Sequence, residues 1–214
     1  MKNKLTFFVL GFFAFAVIVL FIHATVDSSN SYFPFIKSNA KQENLALPIQ
    51  NAYAVKIPVK VSFAGEDVPL DDPEVRERLD RELTVNAYWQ SSTIIMLKRA
   101  NRFLPTIEKV LKEEAVPDDF KYLCMAESSL DNVVSPAGAA GFWQFMKATG
   151  TQYGLLINAE VDERYNLEKA TRAACKYLRD AKDKSGSWTA AAASYNMGLA
   201  GVNKQQALHG DTAY

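Results

Sequence analysis

The sequence predicts an all-α fold for the body of the chain, residues 71–214. An N-terminal apolar segment (1–24) and a tether with a short extended arm (25–70) precede it. Three observations carry this reading. From Asp71 onward apolar residues recur at helical spacing, as in Val75, Leu79 and Leu83, or Leu167, Ala170, Ala174, Leu178 and Ala181. Helix punctuation accompanies them: Asp71-Asp72-Pro73-Glu74 and Asn166 at starts, Gly154, Gly186 and Gly198 at ends. Strand-like alternation is confined to residues 56–68, too little to build a sheet.

In chain order, Met1-Lys2-Asn3-Lys4 leads into 18 uncharged residues, 5–22. That length just spans a bilayer core, and the two lysines on the short flank hold the N-terminus in the cytoplasm. A retained anchor is favoured over a cleaved signal peptide, because Ile22-His23-Ala24 is a poor cleavage site. Either way the following domain is exported. Residues 25–54 are polar, mixed and without period, as a tether is. Within 56–68, Ile57, Val59, Val61 and Phe63 share one face of an extended segment, which must lie on the helical body or pair with a partner.

The first helix opens with acids and a proline in its first turn. Ser91 or Ser92 caps a second, through Ile94, Ile95, Leu97 and Ala100, and Pro105 opens a third whose inner face is Ile107, Val110, Leu111 and Ala115. Pro117 closes it, and Asp118 or Asp119 caps a fourth. There Phe120, Leu123 and Glu127 fall on one face, so a carboxylate points where apolar residues point. This helix fails within a turn of Leu130, where Asp131-Asn132 favours a turn. One or two short helices fill 142–153, a long one runs 167–184, and an Ala-rich one runs 188–197.

Composition narrows the function. The 24 basic and 24 acidic residues balance, so there is no electrostatic case for nucleic acid. His23 and His209 stand alone and the two cysteines are far apart in sequence, so neither a metal site nor a cofactor is indicated. Cys124 and Cys175 read as buried core thiols, with a disulfide as the alternative.

Glu127 is the residue with chemical promise. Apolar neighbours and the negative end of its helix both disfavour ionisation, and a carboxyl kept protonated near neutrality suits a general acid. Glutamates are more often plain surface residues, and the context distinguishes the two. After Glu127-Ser128 comes the small-residue loop Ser135-Pro136-Ala137-Gly138-Ala139-Ala140-Gly141. It closes on Phe142-Trp143-Gln144-Phe145, and later comes Ala193-Ser194-Tyr195-Asn196-Met197-Gly198. This order resembles the lytic transglycosylases of the lysozyme superfamily: Glu-Ser, a loop closing on Gly-Leu-Trp-Gln or Gly-Leu-Met-Gln, then Ala-x-Tyr-Asn-x-Gly. The likeness is strongest to the membrane-bound lytic transglycosylase D type, which shares Gly-x-Trp-Gln-Phe and an Asp-x-Arg segment, here Asp162-Glu163-Arg164.

The resemblance implies a lysozyme-like domain that cuts the MurNAc–GlcNAc β-1,4 bond of peptidoglycan. Glu127 acts as acid and then as base, leaving a 1,6-anhydro-MurNAc end. It implies a cell-envelope location, with the domain facing the periplasm from a membrane anchor, and no cofactor. Carried over by position, Ser128 bonds near the acid or the N-acetyl group, or else makes a local backbone bond. Gln144 bonds the glycan, Trp143 offers a stacking face or is a core aromatic, Tyr195 lies near the acid, and Asn196 bonds an N-acetyl group. Family domains continue with further helices beyond the Tyr-Asn motif, so the chain reads as ending short of them. The competing readings are a hydrolytic muramidase, which requires Asp131 or another acid to hold water, and an inactive glycan-binding module.

Overall fold

A computed structural model describes residues 55–209. The apolar segment 5–22 and the tether to residue 54 lie outside the described residues. Among the described residues no helix is long and apolar enough to cross a membrane. The described part is mostly helical, as expected from the spacing. Six helices form it: α1 (Pro73–Tyr88), α2 (Gln90–Glu113), α3 (Phe120–Ser128), α4 (Lys147–Gln152), α5 (Leu167–Ser185) and α6 (Trp188–His209). A 3-10 turn, Glu163–Tyr165, precedes α5.

The extended arm is a minimal antiparallel hairpin, β1 (Ser62–Phe63) and β2 (Glu66–Asp67). Its two-residue turn, Ala64-Gly65, has positive φ at both positions (53° and 82°), the geometry that matches strand twist. Of Ile57, Val59, Val61 and Phe63, expected to share one face, Ile57, Val61 and Phe63 are partly buried and Val59 is not. Val59 is 94% exposed, beyond the last hairpin bond, in which Val68 N–H donates to Val61 O at 2.9 Å. The hairpin lies on the helical body. The Phe63 ring meets Phe120 edge-on at 5.2 Å, and Ala64 N–H donates to Asp119 at 2.6 Å.

Two helix boundaries differ from expectation. Ser91 and Ser92 do not cap α2, whose N-cap is Trp89 without a side-chain bond, and Pro105 lies inside α2 instead of opening a new helix. Proline removes the backbone donor that would bond the Asn101 carbonyl, but both residues are exposed and water can serve that carbonyl. Ile107, Val110 and Leu111, all buried, hold the segment after Pro105 in line against the core. Asp119 stands at the N-cap of α3 without capping it, since the hairpin has drawn its carboxylate away.

α5 is the central element, packed against both α2 and α6. In its predicted line Leu167 is partly buried and Ala170, Ala174, Leu178 and Ala181 are fully buried, and Asn166 caps the helix by accepting from Lys169 N–H at 3.0 Å. Small side chains on α5 and at Ala190 and Ala191 of α6 let those two backbones approach closely. α6 breaks where the sequence places its stop. Gly198 is non-helical (φ 74°, ψ 158°), and a further helical stretch follows it. Cys124 and Cys175 are free and buried, in keeping with core packing, and burial pushes the Cys175 thiol up to about 12.

Candidate active site

Glu127 lies in the last turn of α3, half-buried. The helix then stops abruptly. Ser129 and Leu130 both take left-handed backbone (φ 52° and 55°), and Leu130 plunges fully into the core. A non-glycine residue there is strained, and two in succession are held by the packing around Leu130. The chain leaves the helix immediately beyond the acid, so Asp131 is not on Glu127's helical face. Asp131 instead accepts from Arg99 at 2.6 Å, which also donates to the Ser129 carbonyl at 3.2 Å.

Around Glu127 the one hydrogen-bond partner among the described residues is Asn196, whose Nδ2 donates to Oε1 at 3.2 Å. Burial raises the Glu127 pKa above its ordinary value, and the Asn196 bond offsets part of that rise.

The loop after α3 is tied down from several directions. Ser135 N–H donates to Ala139 O and Gly141 N–H to Val133 O, at 2.8 and 3.0 Å. Single β-bridges join Val134 to Ala140 and Ala140 to Phe145. The Arg164 guanidinium donates to the Gly138 and Phe145 carbonyls, 3.0 Å each, while Asp162 holds it through Nε and Nη2. The Asp-x-Arg segment is therefore a brace for the loop. Gly141 is required there, because a Cβ would lie 1.9 Å from the Arg164 carbonyl oxygen.

Gln144 follows with φ 49°. Its Nε2 donates to the carbonyls of Gly141 (2.8 Å) and Val133 (3.0 Å). This fixes the amide plane, and among the described residues Oε1 has no donor. Tyr195 donates its hydroxyl to the Trp143 carbonyl at 2.8 Å, joining α6 to the same loop. Burial, reinforced by the nearby negative charge of Glu127, holds that phenol well above its usual pKa. Tyr195 stays a neutral donor.

At Trp143 and Ser128 the structure takes the second of the alternatives the sequence leaves open, a core aromatic and a backbone hydrogen bond. Trp143 offers no stacking face: it is 0% exposed, and its Nε1 donates to Thr171 Oγ1 at 2.9 Å. A large ring between α3 and α5 gains more from burial than from a place at the surface. Ser128 is also interior. Its hydroxyl donates to Phe142 O at 2.8 Å, so it pins the loop to α3 and does not face solvent. Of the predicted residues, Asn196 bonds Glu127, Tyr195 feels its charge, and Tyr195 in turn bonds the loop that carries Gln144.

Sequence reasoning missed Glu66. From the hairpin its carboxylate accepts from Trp188 N–H (2.7 Å) and Thr189 N–H (2.8 Å), capping α6, the helix that carries Asn196. The only local signal is the Ala64-Gly65 turn that makes a hairpin possible. Among the described residues no group of three or more His, Cys, Asp or Glu could hold a metal ion.

Comparisons with known proteins converge on these elements. The profile of the transglycosylase SLT domain matches residues 105–214. The chain is 30% identical over 148 residues to the membrane-bound lytic murein transglycosylase D of Escherichia coli K12, and equally to that of Escherichia coli O6:H1. The match takes in 67% of this chain but only 32% of either relative, so the chain spans about a third of their length.

Proposed function

The chain belongs to the transglycosylase SLT domain family, and from that premise we propose that it is a peptidoglycan lytic transglycosylase using Glu127 as its single acid–base group. The observation that carries the reading is the state of that carboxyl. It is half-buried, its pKa is raised, and its hydrogen-bond partner is a neutral amide, while Asp131 is engaged by Arg99.

Protonated Glu127 donates its proton to the glycosidic oxygen as the C1–O bond of MurNAc breaks. The carbonyl oxygen of the sugar's own N-acetyl group stabilises the positive charge at C1. The Glu127 carboxylate then takes the proton of the same sugar's 6-hydroxyl as O6 bonds to C1, which restores the acid. Ring closure within one sugar replaces an activated water, so no second carboxylate is needed. Asn196 steadies Glu127 and is placed to bond an N-acetyl group. Gln144 accepts from the glycan through Oε1. Tyr195 holds the loop that presents Gln144, and Ser128 and Trp143 support the wall from inside.

The relatives' printed name, membrane-bound lytic murein transglycosylase, supports an envelope location. We place the domain on the periplasmic side of the cytoplasmic membrane, anchored by residues 5–22.

The test is the product released from purified glycan strands. A lytic transglycosylase yields fragments one water lighter than hydrolysis products, without a reducible end, and Glu127→Gln abolishes release. Reducing ends, lost equally in Asp131→Asn and Glu127→Gln, would establish a two-carboxylate muramidase. Binding without cleavage by the wild-type protein would establish a glycan-binding module.

A further inference from the structure

The chain carries no net charge, yet its charges are not evenly placed. A groove of about 380 Å³ opens between α2 and the turn that follows the Glu127 helix. Lys98, Arg99 and Arg102 line it against a single carboxylate, Asp131, with Phe103 and Phe142 as apolar floor. Asp131 is committed to Arg99. Among the described residues Lys98 and Arg102 have no carboxylate partner, and the guanidinium of Arg102 lies over the Phe103 ring at 5.0 Å. The lining thus keeps two uncompensated positive charges facing one concavity.

Two cations without a carboxylate partner in one concavity attract an anion. The groove's concave form and apolar floor suit a small carboxylate on a partly apolar chain better than a flat lipid surface. The residues that follow the Glu127 helix, Leu130, Asp131 and Asn132, form one of its walls.

We infer that this groove binds a carboxylate of the peptide stem of the same peptidoglycan strand whose sugar backbone lies at Glu127. The inference rests on the proposed function for its substrate class. Lys98 and Arg102 supply the attraction, and Arg99, held by Asp131, forms the fixed rim. Strands bearing peptide are thereby preferred over strands stripped of it.

The full chain carrying Glu127→Gln, which leaves substrate intact, is titrated with stem-bearing and stem-free glycan strands of matched length. The same titrations follow for Glu127→Gln with Lys98→Ala and Arg102→Ala added. Both added changes are at exposed or partly exposed positions away from the core, and matching thermal melts verify the fold. Loss of two exposed charge contacts should weaken stem-bearing strands by about three- to tenfold. Stem-free strands should bind as before. In the Glu127 enzyme, the double change should raise KM on stem-bearing strands with kcat retained.

Equal weakening on both strands, or none on either, overturns the assignment. Vesicles of phosphatidylglycerol provide the remaining arm. Loss of vesicle binding in the double variant with unchanged preference for stems would assign the groove to lipid and overturn the stem reading. If the wild-type protein cleaves neither strand but Glu127→Gln still prefers stems, the proposed activity fails while the groove stands. If it cleaves neither and binds neither, both fail.

Discussion

Asn196 on α6 donates its amide to the Glu127 carboxylate on α3 across 3.2 Å, joining residues 69 positions apart in the chain. A neutral donor is suited to this task. It orients the carboxyl and favours the anion slightly, whereas a cation at the same place would hold Glu127 ionised and end its use as an acid.

Removing that donor changes a pH profile in a stated direction. The acid must be protonated to begin cleavage, so kcat/KM falls as pH rises through the Glu127 pKa. The Asn196 bond lowers that pKa, against the larger upward push of burial. In Asn196→Ala the alkaline limb should therefore move to higher pH, alongside a lower overall rate. A limb that stays in place, or moves down, would show that Asn196 does not act on the acid.

The raised pKa also couples to stability. Glu127 ionises in the unfolded chain near the usual value of 4.5 and later in the folded protein. The folded state thus gains from this group below 4.5 and loses that gain as pH rises through the folded pKa. Glu127→Gln removes the cost of burying an anion. Its melting temperature should exceed that of wild type at pH 7, and the difference should shrink towards pH 4. The reverse order at pH 7 would contradict the desolvated environment.

Trp143 should behave as a core residue. Trp143→Ala is expected to cost about 3–5 kcal/mol in denaturant unfolding, with loss of the Thr171 bond included. Trp143→Phe should recover much of that stability and, with it, activity. A Trp143→Ala protein of normal stability but poor glycan affinity would instead restore the stacking role.

Glu66 gives a test of the hairpin's function. Burial opposes its ionisation, but the Thr189 hydroxyl and the Thr189 and Trp188 N–H groups prevail and lower its pKa below 4.5. Its contribution is present above that value and is lost as pH falls through the folded pKa. Glu66→Ala should cost about 1–2 kcal/mol at neutral pH, the scale of a lost helix cap. The deficit relative to wild type should narrow in acid. Because α6 carries Tyr195 and Asn196, activity should fall along with stability.

The sequence by itself determined most of the helices. Apolar spacing marked the buried face of α5, and Asn166, Gly186 and Gly198 marked boundaries because capping and left-handed backbone are local demands. It also put Glu127 at the end of an apolar helix face. These features depend on residues within a turn or two of one another.

The tertiary structure decided whatever required distant partners. Packing of Ile107, Val110 and Leu111 carried α2 straight past Pro105, where local preference alone predicts a break. Arg99 claimed Asp131, a pairing across 32 residues that local sequence does not specify. The interior claimed Trp143 and Ser128, since a ring between two helices and a hydroxyl beneath a loop carbonyl are positions no neighbouring residue specifies. Glu66 reached the start of α6 across 122 residues. Local pattern sets what a segment prefers to be. Burial and hydrogen-bond satisfaction, which depend on the whole chain, set which side chains remain to meet a substrate.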